Sequence, residues 1–432
     1  MSKESSIHII GGGLYGCLTA YHFAKTYPEC QVNLIESSDH LMAAFDPITL
    51  DGEEFNNGFH GIELPRAEGL FKFFSNVLKA PFSLQPNNRW MSINGTRVPF
   101  DAPLVEWPEN LQSFFEEKPP FSSEAIDDFW PLISQEYKEL FDKIGLRYSN
   151  YSEDVRRFFV PWFFPSDYVL SSNDEGCVFR NQVRSGELKA QYGHPDQHLF
   201  SVVQSGMKEA LEELGIAIHF STKVSFKDQK IEYIQPEGSN PLSPETADEI
   251  FFCALPPLML KDVDFEKFKN ALENKRRLAN ALLEIDADTE SFSYFSEVLC
   301  ADDDAPYVSR LSVPTNFGKE TKDGKKLIQA ELFLSPDEDL EQIETVLLGH
   351  ILRLLGLDPK TPANLRDLKI TRDVFFPREG EVEAANNALK NWVKTYCPNL
   401  HIRGNFGPVN MAKTWIWAEE NTAMYSKKRN AA

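Results

Sequence analysis

Apolar and polar positions trade places over a few residues at the start of the chain, Ile7-His8-Ile9-Ile10, and the run stops at three glycines. Such a short β-branched run predicts a strand. From Leu14 the pattern changes to small and apolar residues, Cys17, Ala20 and Ala24 among them, so the strand passes through one tight turn into a helix. A second strand is expected over Gln31-Val32-Asn33-Leu34-Ile35. Much further on, 200–214 reads as a helix with Gly206 inside it, followed by strands at Ile216-Ala217-Ile218-His219-Phe220 and Thr222-Lys223-Val224. A buried strand is expected within 247–255 before Pro256-Pro257, and a terminal helix over 411–424. Trp90 to Pro99 reads as a hairpin turning at Asn94-Gly95. Candidate strands at the start, middle and end thus alternate with two long insertions, near 79–193 and 261–370, which carry most of the aromatic clusters and charged helices. No internal repeat is visible; 302–304, 319–326, 336–339 and 237–245 read as exposed loops and turns.

Composition narrows the class. With 432 residues, 42% hydrophobic and 25% charged, the chain is globular in type and long enough for about three domains or one interleaved enzyme fold. The balance of 44 Lys+Arg against 65 Asp+Glu gives −21, and no basic patch offsets it. Phosphate backbones and anionic lipid surfaces would repel such a chain, so nucleic acid is not an expected partner. The opening residues are too short and polar for a signal peptide, and even the apolar block 158–164 is brief and carries Pro161. The six cysteines lack a CxxC pair, and the nine histidines lack zinc-site spacing. The expectation is a cytoplasmic protein with reduced thiols, no transmembrane segment and no metal.

The chemistry begins at Gly11-Gly12-Gly13-Leu14-Tyr15-Gly16. Gly11 permits the tight turn, Gly13 lets a pyrophosphate approach the backbone, and Gly16 lets the helix lie close on the strand. The anion then meets the helix N-terminus. Glu36 ends the second strand, 25 residues after Gly11, where it is placed for the hydroxyls of an adenosine ribose. A carboxylate there disfavours a 2′-phosphate, which leaves FAD or NAD rather than NADP. Read separately, the glycines make a turn and Glu36 is a strand-end carboxylate; that reading leaves their joint spacing unexplained.

These residues resemble the flavoprotein superfamily of amine oxidases, protoporphyrinogen oxidases, phytoene desaturases and UDP-galactopyranose mutases. The resemblance implies an α/β fold in which a Rossmann-like FAD-binding domain (1–78, 194–260 and 371–432) is interleaved with a mixed α+β substrate domain (79–193 and 261–370). After the ribose-binding acid and Ser37, the family continues to a Gly-Gly-Arg that holds the pyrophosphate; here the corresponding residues are Met42-Ala43-Ala44. Backbone N–H groups remain there, and no charge remains at Ala44. Gly58-Phe59-His60 resembles the segment that runs under the isoalloxazine ring, which makes His60 a candidate flavin-face or substrate residue. Val224 corresponds to the family's adenine contact. Gly404, Asn405 and the helix start at Met411 resemble its last FAD segment.

In the insertions, the resemblance points to Arg310, on the strand-like run Tyr307-Val308-Ser309-Arg310-Leu311-Ser312-Val313, as an arginine facing the flavin from the substrate sheet. Alternation there puts Val308, Arg310 and Ser312 on one face and Ser309, Leu311 and Val313 on the other. Arg378 is a second such candidate, Arg180 and Arg184 are candidates for a carboxylate or diphosphate, and the aromatic block 156–164 is a candidate wall. The family's lysine after that block has no counterpart at Pro165-Ser166-Asp167. Three readings follow: an FAD-dependent oxidoreductase taking hydride from a small polar or sugar-linked substrate, a non-redox mutase-like enzyme on a nucleotide sugar, or a degenerate, non-catalytic relative.

Overall fold

The computed structural model describes residues 5–50, 53–58, 60–65, 67–86, 88–100, 102–115, 134–137, 139, 165, 191–195, 199–239, 241–254, 256–263, 275–286, 297–317, 325–375, 381–402 and 411–431. Strand β1 (Ser6–Ile10) leads through the three glycines into helix α1 (Leu14–Thr26), and β2 (Gln31–Ile35) returns parallel to β1. The sheet they start has five parallel strands in the order Ala217–His219, β2, β1, Glu249–Phe252, Leu400–Ile402. Parallel neighbours need crossovers, and the chain supplies them from segments far apart in sequence.

Both faces of this sheet are covered, as a parallel sheet requires. Ile7 and Ile9 point to α1, which packs through Cys17, Leu18, Ala20 and Phe23 and is flanked by the helices Ser201–Glu213 and Met411–Ala431. Ile10, Ile250 and Phe252 point the other way, to Phe226 and to Trp392 of the helix Glu381–Tyr396. Glycine inside the Ser201–Glu213 helix has a packing reason: a β-carbon at Gly206 would lie 2.8 Å from the Leu78 carbonyl oxygen. The terminal helix runs seven residues beyond the expected 424, to Ala431.

A second sheet has seven strands in the order Ala363–Phe375, Lys275–Ile285, Lys326–Leu334, Val308–Ser312, Glu297–Ala301, Arg89–Ile93, Thr96–Pro99. Its pairs are antiparallel except for Glu297–Ala301 with Arg89–Ile93. Asn94 and Gly95, at φ 46° and 76°, make the turn of the Trp90–Pro99 hairpin, which is the edge of this sheet. The strand Ala363–Phe375 runs across the boundary expected at 370. One face packs on the helix Leu340–Leu354 through Ala281, Leu283, Ile328, Ala330 and Leu332 against Ile343, Leu347 and Ile351. The opposite face carries buried Asn280, Glu297, Ser312, Gln329 and Glu331. That polar face looks toward the loop 56–60.

The alternation expected around Arg310 fails at one point. A bulge between Val308 and Arg310 shifts the register, so Val308 joins Leu311 and Val313 in the apolar core while Arg310 and Ser312 stay on the polar face. One extra residue in a strand reverses the side on which its neighbours fall.

Candidate cofactor and active site

Gly11, at φ 106°, turns the chain at the end of β1, and its N–H donates to the Ile35 carbonyl at 2.8 Å. A β-carbon at Gly16 would sit 1.8 Å from the Gly11 carbonyl oxygen, so helix and strand are closer than any side chain permits. Gly13 is different: among the described residues it is exposed and nothing lies within 4 Å of where its β-carbon would be, and its φ of −70° suits any residue. It is the N-cap of α1 without a side chain to cap it, and the first turn carries no acid. Among the described residues nothing covers the positive end of this 13-residue helix at Gly13, which is the arrangement that receives an anion.

Glu36 lies beside this opening. One carboxylate oxygen accepts from the Gly12 N–H at 2.6 Å; the other accepts from the Ser38 N–H at 2.7 Å and from the Ser38 and Ser37 hydroxyls. Burial raises the pKa of this carboxyl, and the hydrogen bonds from Ser38, Gly12 and Ser37 outweigh it, so the group stays ionised below the usual carboxylate range. The loop that follows is tied back to the glycines by Met42 N–H to the Gly12 carbonyl, 2.8 Å. Met42 adopts φ 58°, buries its side chain, and precedes the short 3-10 turn Ala43–Phe45, on which Ala43 and Ala44 are exposed. Gln204 fastens the loop from the Ser201–Glu213 helix by donating to the Met42 carbonyl and to Asp46.

The third part is Asn56, Asn57, Gly58 and His60 near the polar face of the seven-stranded sheet. Gly58 has φ 96°, and its missing β-carbon would lie 2.7 Å from Glu331 Oε1. Gln329 Nε2 donates to the Asn56 carbonyl, and Asn280 Nδ2 donates to Asn57 Oδ1 at 2.6 Å. His60 Nε2 meets the Asn57 carbonyl at 3.1 Å, and its ring packs edge-on to Phe45 and Phe200. Arg310 grips both oxygens of Glu331 at 2.6 and 2.7 Å and reaches Glu297 at 3.3 Å. Glu297 is held from its other side by Arg89 and by the Tyr192 hydroxyl, 2.7 Å. Burial works against the charge on Arg310, and the two carboxylates more than restore it.

Residues 9–77 match the NAD(P)-binding Rossmann-like domain family. Along nearly its whole length the chain superposes on a protein provisionally named as a protoporphyrinogen oxidase from Exiguobacterium sp. 255-15, with a TM-score of 0.65 at 14% identity, covering 99% of this chain and 100% of that one. Reduced UDP-galactopyranose mutase follows at a TM-score of 0.64 and 14% identity, covering 97% of this chain and 94% of that one. The chain shares the fold of these proteins. Putrescine oxidase bound to putrescine shares it at a TM-score of 0.59 and 12% identity, covering 98% of this chain and 99% of that one. No curated protein matches the sequence.

Within this fold the expected site residues lie in several places. Gly11, Gly12, Gly13, Glu36 and Ser37 come together around the N-terminus of α1, with Ala43 and Ala44 on the adjoining turn. Leu14 and Tyr15 turn inward, Tyr15 accepting from Asn421 at 2.7 Å and meeting Trp417 edge-on. Gly58, His60 and Arg310 meet at the second sheet, with Glu331 between Gly58 and Arg310. Val224 lies in the two-stranded pair Lys223–Ser225 with Glu232–Ile234, and Met411 opens the terminal helix against the α1 core. Phe59, Arg180, Arg184, Arg378, Gly404, Asn405 and the block 156–164 lie outside the described residues. Among the described residues no helix is long and apolar enough to cross a membrane. Sequence reasoning missed Gln204, Asn280, Glu297, Gln329 and Glu331. A signal existed for two of them: Gln329 and Glu331 are polar, two apart, in the otherwise apolar run Leu327 to Leu334.

Proposed function

We propose that this chain is an FAD-dependent oxidoreductase acting on a small polar or sugar-linked substrate. The observation that carries the reading is the open, uncapped N-terminus of α1 over Gly13 with the ionised Glu36 beside it. These residues fit an adenosine diphosphate: backbone N–H groups and the helix end would hold the pyrophosphate, and Glu36 would take the ribose hydroxyls. Val224 would contribute backbone contacts to adenine, and the segment of Gly404, Asn405 and Met411 would serve the ring end of the cofactor. His60, fixed against Phe45 and Phe200, would border the substrate. Bound FAD would supply hydride acceptance; the protein's part is orientation, exclusion of water and electrostatics.

The visible absorption spectrum of the purified protein, with identification of what denaturation releases, tests this. Flavin bands and free FAD are expected. A colourless protein that also fails to take up added FAD would end the reading and favour a non-catalytic relative, for which Met42-Ala43-Ala44 in place of Gly-Gly-Arg speaks. Likeness to UDP-galactopyranose mutase supports a second reading, non-redox chemistry on a nucleotide sugar. A candidate substrate that bleaches the flavin without added reductant favours the oxidoreductase; turnover that needs prior reduction favours the mutase-like enzyme.

A further inference from the structure

Arg310 stands on the polar face of the seven-stranded sheet, and its guanidinium is taken up by Glu331 and Glu297. A planar fork on both oxygens of one carboxylate fixes the orientation of that carboxylate, which a lysine's point charge does not do. Glu331 then occupies the space that the absent Gly58 side chain leaves. Its neighbours on the same face complete the pattern. Gln329, two residues before it, holds the Asn56 carbonyl, and Asn280, directly across from Glu331 in the register, holds the Asn57 side chain. Three successive loop residues are therefore each met by one side chain of the sheet. The loop passes its position on: the Asn57 carbonyl meets the His60 ring, and Asn56 Oδ1 accepts from the Phe200 N–H at 2.8 Å, so the ring's packing partner is fixed as well.

We propose that Arg310 is a positioning residue that acts through Glu331: it sets the loop 56–58, and with it the His60 ring, against the second sheet, instead of contacting substrate phosphate. Glu297, itself held by Arg89 and Tyr192, anchors the guanidinium from the other side. The loop geometry stands on these contacts alone; its effect on flavin affinity rests on the function proposed above.

Arg310→Lys keeps the charge and loses the fork. The test reads the His60 imidazole signal by NMR in histidine-labelled protein without added flavin, identified by its loss in His60→Gln, and then titrates FAD. Arg366→Lys, in a pair with Glu284 on the same sheet, is the control. Arg310→Lys is expected to move the His60 signal, leave that of His40 in place, and weaken FAD about 5- to 50-fold, within the usual range of coupling between one site and another; Arg366→Lys should neither move the His60 signal nor weaken FAD. Gln329→Leu removes the Asn56 contact without touching an ion pair, so it reports on the same loop if Arg310→Lys does not fold. An unmoved His60 signal in whichever of these variants folds overturns the proposal. A wild-type protein that takes up no FAD would overturn the flavin reading, while the His60 signal would still decide the positioning role.

Discussion

Changing Gly13 to alanine asks the glycine turn to separate the proposed binding from folding. Among the described residues a β-carbon there meets nothing within 4 Å, and φ −70° is open to alanine, so these residues raise no steric objection. Alanine is a worse N-cap than glycine by roughly 0.5–1 kcal/mol, and its stiffer unfolded chain returns about 0.4–1 kcal/mol, so net stability should stay within roughly 0.5 kcal/mol of the parent. Binding is another matter, because the new methyl stands beside the backbone N–H groups at the start of α1, where a pyrophosphate would approach them. Loss of two hydrogen bonds to a charged phosphate costs about 1.5–3 kcal/mol each. At ~1.4 kcal/mol per tenfold, that is a loss of about 10²- to 10⁴-fold in FAD affinity. Fluorescence titration with FAD and thermal unfolding of the flavin-free protein measure the two effects. Gly16→Ala is the counterpart: its β-carbon would overlap the Gly11 carbonyl at 1.8 Å, and helix and strand must part at a cost at or above the ~1–3 kcal/mol usual for overpacking. If Gly13→Ala binds FAD within threefold of the parent, the pyrophosphate does not lie over this loop and the assignment of the site fails.

Glu36→Ala should weaken FAD by about 1–3 kcal/mol if the carboxylate takes ribose hydroxyls; an unchanged dissociation constant would reduce Glu36 to a tie between the glycine loop and Ser38. Its hydrogen bonds hold its folded pKa below the ordinary carboxylate value, so its contribution to stability persists at neutral pH and is lost only as acid passes through that lowered value. His8 behaves in the same sense for a different reason. Burial, aided by His219, lowers its pKa to about 4 from 6.5, so its contribution is complete above pH 6.5 and falls away as pH drops toward 4. The shift amounts to roughly 3 kcal/mol at most, and urea unfolding of wild type and His8→Leu at pH 7 and pH 4.5 measures it; equal losses in both proteins would show that His8 is not the group titrating.

How much of this was legible in the sequence depended on distance along the chain. The strand, glycine turn and helix were readable because β1, Gly11 to Gly16 and α1 are continuous and each glycine has a local backbone or packing reason. Glu36 was readable because the βαβ unit has a nearly fixed length. The network at Arg310 was not, because its partners are Glu331, Glu297 and, beyond them, Arg89, drawn together only by strand order in the second sheet. The bulge beside Val308 defeated the alternation rule for the same reason: it answers to the partner strand Lys326–Leu334, not to its own residues. The 25-residue interval from Gly11 to Glu36 was read as ligand spacing, yet Ser38 and Gln204, which brace that loop, carried no pattern of their own.

The terminal helix sets an order of events during synthesis. Phe23 and Tyr27 of the α1 region lie edge-on to Tyr425, Tyr15 is bonded by Asn421, and one edge strand of the parallel sheet is Leu400–Ile402. The parallel sheet therefore gains β1 and β2 on the ribosome before the second sheet is made, and its strand Leu400–Ile402 after it. Until 411–431 emerge, the outer flank of α1 presents apolar surface to the cell, the condition under which growing chains depend on chaperones or associate with one another. A nonsense mutation between residues 403 and 420 would consequently remove Asn421 and Tyr425 and act on the glycine-rich turn 11–16, far before it in the chain.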